Sequence, residues 1–186
     1  MWKKIILFVF LYVGVFSCCQ EPPEYWEMQD VWVGVSPPLG QQFVNGTFAG
    51  DSLFIAVGFN GYPTHASNDW EFSTMTSAYG GGHYCDKGGD LGLINYIVEF
   101  DVVSNHRFIK IPAGQPLNPI LTVDGRPLND VIAESSTWAY EDGADGYSMQ
   151  IKLSGRPKGF FKHTFTVRMT TADRKIIEKE TLPIIW

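Results

Sequence analysis

The strongest constraint on this chain is the period of its apolar residues. They recur at every second position in short runs, and no stripe of period 3.6 lasts beyond a turn or two. Val31-Trp32-Val33-Gly34-Val35 alternates and then breaks at Pro37-Pro38. The segment 43–48 carries Asn45-Gly46, a hairpin signal. Leu53-Phe54-Ile55-Ala56-Val57-Gly58-Phe59 is the most apolar stretch after the N-terminal leader and reads as a central strand. Asn60-Gly61-Tyr62-Pro63 should end it. A further strand is expected over 70–75.

In the second half, alternation places Ile94, Tyr96, Val98, Phe100 and Val102 on one face. Residues 108–111 form a short apolar run stopped by Pro112. Ile120-Leu121-Thr122-Val123 ends at Asp124-Gly125, a type I′ turn signal. Residues 128–132 suit a single helical turn. Tyr147, Met149, Ile151 and Leu153 share one face of a strand, as do Phe161, His163, Phe165, Val167 and Met169. Residues 175–185 close the chain as a last strand. About nine or ten short strands at this spacing predict an all-β fold, an antiparallel β-sandwich of immunoglobulin-like type with long loops. Leu53, Ile55, Val57, Tyr96, Val98, Phe100, Phe165 and Val167 are the expected core between its sheets. No dinucleotide fingerprint, phosphate loop or internal repeat interrupts this reading.

The first 17 residues belong outside the fold. Lys3 and Lys4 precede an apolar run from Ile5 to Phe16. That run is too short for the ~20 residues that span a bilayer, but it suits a signal peptide. It ends in Val15-Phe16-Ser17-Cys18, which resembles a bacterial lipobox. The resemblance implies cleavage before Cys18 and acylation of its thiol, so that acyl chains hold the protein on a bacterial cell envelope as an outer-membrane lipoprotein, exposed at the surface in one variant of the reading. Residues 18–25 then form an acidic, Pro-containing tether, and 26–186 a single domain.

Several later stretches resemble a small family of uncharacterised Bacteroides lipoproteins built on a domain of unknown function. They are Ala78-Tyr79 with Cys85-Asp86, the strand 94–103, Pro112-Ala113-Gly114-Gln115-Pro116-Leu117-Asn118 and His163-Thr164-Phe165-Thr166-Val167. The resemblance covers roughly residues 70–186 and rests on turns and strands. It implies a secreted, lipid-anchored, β-rich domain and assigns no catalytic residue.

Candidate chemistry is sparse. The formal net charge is −6, which argues against nucleic acid as a partner and against electrostatic docking on anionic lipid. His83, Cys85, Asp86 and Asp90 are metal-capable types in a glycine-rich loop, yet no second His/Cys cluster completes a site. The expectation there is a solvated loop, with no metal and no cofactor. A disulfide between Cys19 and Cys85 is chemically allowed in an oxidising compartment, though two free thiols are the simpler expectation. Glu141, Asp142 and Asp145 with two glycines could accept calcium or act as a carboxylate pair, but Asp-Gly pairs more often make tight turns. Asp51-Ser52-Leu53 resembles an O-glycosylation motif of exported Bacteroidota proteins, at a site that opens a strand.

The aromatic inventory remains: 6 Trp, 8 Tyr and 13 Phe are more than a small core usually takes, so some should reach the surface. Tyr62, Tyr79, Tyr84 and Tyr140 fall in or beside loops, and Tyr79, Tyr84 and Tyr140 are the candidate ligand-binding residues. The expected function is therefore a non-enzymatic binding or accessory module at the cell envelope, with a glycan or an envelope protein as ligand. The alternatives are a structural subunit of a surface complex and a small carboxylate-dependent hydrolase.

Overall fold

The computed structural model describes residues 25–44, 47–64, 91–140, 146–157, 159 and 161–186. Its strands are β1 (Tyr25–Ser36), β2 (Ser52–Thr64), β3 (Ile97–Ser104), β4 (Leu121–Val123) and β5 (Arg126–Pro127). After a single turn of helix, α1 (Leu128–Ala133), come β6 (Gly146–Ser154), β7 (Lys162–His163), β8 (Phe165–Thr171), β9 (Ile176–Glu180) and β10 (Ile184–Ile185). One sheet has the order β1-β2-β6-β4-β5, a second has β3-β8-β9, and β10 pairs with β7. Every strand pair is antiparallel.

The expected all-β sandwich is what these residues form. Leu53, Ile55, Val57 and Phe59 of β2 face Phe100 and Val102 of β3 and Phe165, Val167 and Met169 of β8 in one buried cluster. β2 and β6 are each paired on both sides, so their alternation is uninterrupted and their inner faces are fully apolar. Burying a Leu, Ile or Phe side chain contributes about 1.5–3 kcal/mol relative to exposure, and this cluster is the main source of cohesion. Tryptophans fix its margins. Trp26 donates its Nε1–H to the Trp138 carbonyl at 2.6 Å, and Trp186 donates to the Gly50 carbonyl at 2.7 Å. Both indoles are buried, and each indole N–H has the partner that burial demands.

Local turn chemistry follows the sequence closely in two places. Asp124 and Gly125 have φ of 51° and 82°, the left-handed pair that a type I′ turn requires between β4 and β5. Val44 and Thr47, which flank Asn45-Gly46 in sequence, exchange both backbone hydrogen bonds at 2.9 Å. α1 buries Leu128, Val131 and Ile132, the i, i+3, i+4 face of one helical turn.

Elsewhere the expectations need correction. Tyr96 and Val98 are not core residues; they are 43% and 56% exposed. The register of β3 on β8 shifts between Ile97 and Glu99, and this bulge reverses the inward phase. Ile97 points in before it, and Phe100, Val102 and Ser104 point in after it. Phe161 is exposed because it lies before β7 and stacks on the His106 ring at 5.3 Å. Residues 108–111 form a tight turn instead of a strand: Phe108 and Ile111 exchange backbone hydrogen bonds around Ile109, whose φ is 53°. The closing segment splits into β9 and β10 at the buried Thr181, whose hydroxyl accepts from the Phe165 N–H. The strand expected over 70–75 lies outside the described residues.

Candidate functional site

The outer face of the first sheet carries the largest unexplained side chains. Val31, Val33 and Val35 of β1 lie opposite Phe59, Val57 and Ile55 of β2, on the core side. The residues between them must therefore face outward. Trp32 pairs with Gly58, Asp30 with Asn60, Glu27 with Tyr62, and Tyr25 with Thr64. Trp32, Tyr62 and Tyr25 are 46%, 44% and 39% exposed. They form one row along the β1–β2 face, with Asp30, Asn60 and Glu27 interleaved.

Gly58 explains how Trp32 is held. A Cβ on Gly58 would come within 2.1 Å of the indole Cε2 and Nε1, so the ring occupies the space that any other residue would fill. An aromatic ring covering a strand glycine supports the strand and is itself positioned by it. Asp30 accepts a hydrogen bond from Lys179 Nζ of β9 at 3.0 Å. That bond and the Val31 N–H hold the Asp30 carboxyl below the usual carboxylate range. The row thus combines aromatic surface with hydrogen-bonding groups whose geometry the sheet fixes.

A second concavity of about 460 Å³ lies between β3 and α1, lined by Val98, Glu99, Asp101, Asn118, Asn129 and Ile132 among others. Its polar groups are largely engaged. Asn118 Nδ2 donates to the Phe100 carbonyl at 2.6 Å, and Asn118 Oδ1 accepts from the Val102 N–H at 3.2 Å. The carboxamide thus takes the place of a neighbouring strand on the open side of β3. Glu99 accepts from the Thr170 hydroxyl at 3.1 Å. Two carboxylates, Glu99 and Asp101, line this hollow beside Asn118 and Asn129, and no histidine, cysteine or serine is among its described lining residues.

The third titratable feature is buried. His163 has no exposed surface, its Nδ1 lies 3.0 Å from Ser104 Oγ, and its Nε2 has no partner. Phe165 stacks on the ring, while Phe108 and His106 approach edge-on. Burial, aided by the neighbouring His106, holds the His163 pKa below the ordinary imidazole value. Ser104 and His163 are both shut from solvent, so the pair stitches β3 to β7 and reaches no substrate.

No protein-family model, curated protein or solved structure matches this chain.

Most residues singled out from sequence lie outside the described residues: Cys18, Tyr79, Tyr84, the 80–90 loop with His83 and Cys85, and the carboxylates of 141–145. Tyr140 is described and is half-buried, edge-on to Trp26 at 6.0 Å. Its ring therefore helps to close the core margin. Ser52 opens β2 opposite Ser154, and Leu53 beside it is fully buried, so the Asp51-Ser52-Leu53 motif sits in a paired central strand. Among the described residues no three His, Cys, Asp or Glu side chains gather as metal ligands. Tyr62, expected in or beside a loop, lies within β2 and shares the outward row with Trp32 and Tyr25. The signal for the row was present, because Val31, Val33 and Val35 cannot face the core unless Trp32 faces away.

Proposed function

We propose that this chain is a lipid-anchored module of a bacterial cell envelope that binds glycan without transforming it. The observation that carries the glycan reading is the row of three half-exposed aromatic rings on one sheet face, interleaved with hydrogen-bonding side chains. Sugars present apolar C–H faces and a rim of hydroxyls, and such a row meets both. The lipobox-like Val15-Phe16-Ser17-Cys18 supports the anchor, with acyl chains on Cys18 holding the domain at the membrane. The strand distribution is consistent with immunoglobulin-like connectivity. The first, second, sixth and fourth strands share one sheet, and the third, eighth and ninth the other, as in constant-type immunoglobulin sandwiches once short β5 and β7 are set aside.

The test has two arms. The acylated chain, purified in detergent micelles, is screened on a glycan array; silence across the array removes the glycan reading. Separately, Cys18→Ser should leave the membrane fraction, and a variant that stays there after a carbonate wash removes the anchor.

A second reading, a structural subunit of a surface complex, draws on β9. Among the described residues β9 is paired on one side only, by β8, and Ile176 at its start is 68% exposed. A strictly monomeric species in light scattering on envelope extracts counts against it.

A further inference from the structure

Resting on the glycan reading, we infer that the β1–β2 face takes an extended, uncharged oligosaccharide, with Trp32 at one end of the site and Tyr62 with Tyr25 at the other. The spacing sets the length. Trp32 sits over Gly58, and Tyr62 lies four residues further along β2, about 14 Å away at ~3.4 Å per residue. A single pyranose ring covers one aromatic ring and cannot reach the next. A chain of sugars running along the strands engages both ends.

The charge pattern sets the class. Asp30 and Glu27 lie between the aromatic ends, paired across the strands with Asn60 and Tyr62. Their carboxylates accept hydrogen bonds from hydroxyls and repel sulfate, phosphate and uronate groups. Among the described residues, Lys179 is held by Asp30 at 3.0 Å. Lys152 lies opposite Phe54, on the far side of Gly58 from the Tyr62 end. Gly58 sets the position of the indole, so the site depends on that glycine as well as on the tryptophan.

The experiment is calorimetric titration of the full acylated chain in micelles with three probes: neutral hexasaccharides drawn from cellulose, xylan and mannan, the matching monosaccharides, and a heparin hexasaccharide. At least one neutral hexasaccharide should bind, and its monosaccharide and heparin should bind at least about tenfold more weakly. Trp32→Ala and Tyr62→Ala should each weaken the hexasaccharide by about tenfold. Gly58→Ala should do the same with every aromatic retained, because its Cβ displaces the indole; it also serves if Trp32→Ala misfolds. Heparin binding as well as the neutral chains, equal monosaccharide affinity, or unchanged affinity in both Trp32→Ala and Gly58→Ala overturns this inference and leaves glycan binding standing. Failure of every saccharide, on the array and here, overturns both.

Discussion

The two outer faces of the sandwich solve the same problem in opposite ways. On the β3-β8-β9 face the polar side chains answer one another. Arg168 donates to Glu178 at 2.9 Å, the Thr170 hydroxyl to Glu99 at 3.1 Å, and the Thr166 hydroxyl to Glu180 at 3.3 Å. On the β1–β2 face, Trp32, Tyr62 and Tyr25 stand half out of water, beside the Asp30–Lys179 pair and the Thr64 hydroxyl that donates to the Tyr25 carbonyl. The first face is knit by side-chain hydrogen bonds, and the second presents aromatic surface. Exposed single hydrophobes are ordinary on proteins, but three aromatic rings along one face of a strand pair are a concentrated surface. The unanswered face is therefore the candidate binding surface.

The largest effect comes from breaking what holds the faces apart. Phe165 is fully buried between the sheets, and Phe165→Ala should cost about 3–5 kcal/mol. That is a large share of the ~5–15 kcal/mol available to a domain of this kind. Both faces should be lost together in one early thermal transition. A melting point within a degree or two of the parent would place Phe165 at the periphery and dissolve the comparison.

Trp32→Ala is the sharper tool, because it strikes one face alone. The ring is only half-buried, so its loss should cost much less stability than Phe165→Ala. Glycan affinity should nevertheless fall by about tenfold. If stability collapses while affinity holds, Trp32 is a cover for Gly58 and nothing more.

What the sequence disclosed, and what it hid, divides along similar lines. β2, β6 and β8 were legible because each is paired on both sides, so burial and alternation agree over their whole length. The Asp124-Gly125 turn was legible because few residue pairs tolerate two positive φ values in succession. β3 was misread because a bulge at Ile97/Glu99 changes phase without leaving a compositional mark: Tyr96, Val98 and Phe100 look alike in sequence, and only the last is inside. The turn at Ile109 was hidden for a related reason, since a β-branched residue at positive φ is held there by tertiary contacts and not by its own preference. For the site, attention to loops overlooked Trp32, although the valines on either side of it already dictated its outward direction.

Acid should separate the two halves of the comparison more gently. His163 is buried neutral on β7, with its pKa held below the ordinary imidazole value by burial and then by His106. The unfolded chain binds its proton near pH ~6.5, before the folded chain does. Stability is therefore flat above that point and falls as pH drops through it towards the folded value. A melting series from pH 8 to 5 should show this decline, and His163→Phe should flatten its upper part. A parent curve that is level down to pH 5, or that rises as pH falls, would show that the ring accepts its proton without cost.

The smallest effect is expected on the answered face. Arg168 and Glu178 are both about half-exposed, at 53% and 48%, and their bond raises the Arg168 pKa and does little else. Exposed ion pairs are screened by water and salt and offset by the entropy of fixing two long side chains. Arg168→Gln should leave the melting point within experimental scatter at physiological salt. It should also leave glycan affinity unchanged, because the residue lies on the opposite sheet from Trp32 and Tyr62. Titration and thermal melting of this one variant, run beside Trp32→Ala, test the asymmetry directly. A loss of binding in Arg168→Gln equal to that in Trp32→Ala would place the ligand on the β3-β8-β9 face or around the sandwich edge, and the distinction between an answered and an unanswered face would no longer locate the site.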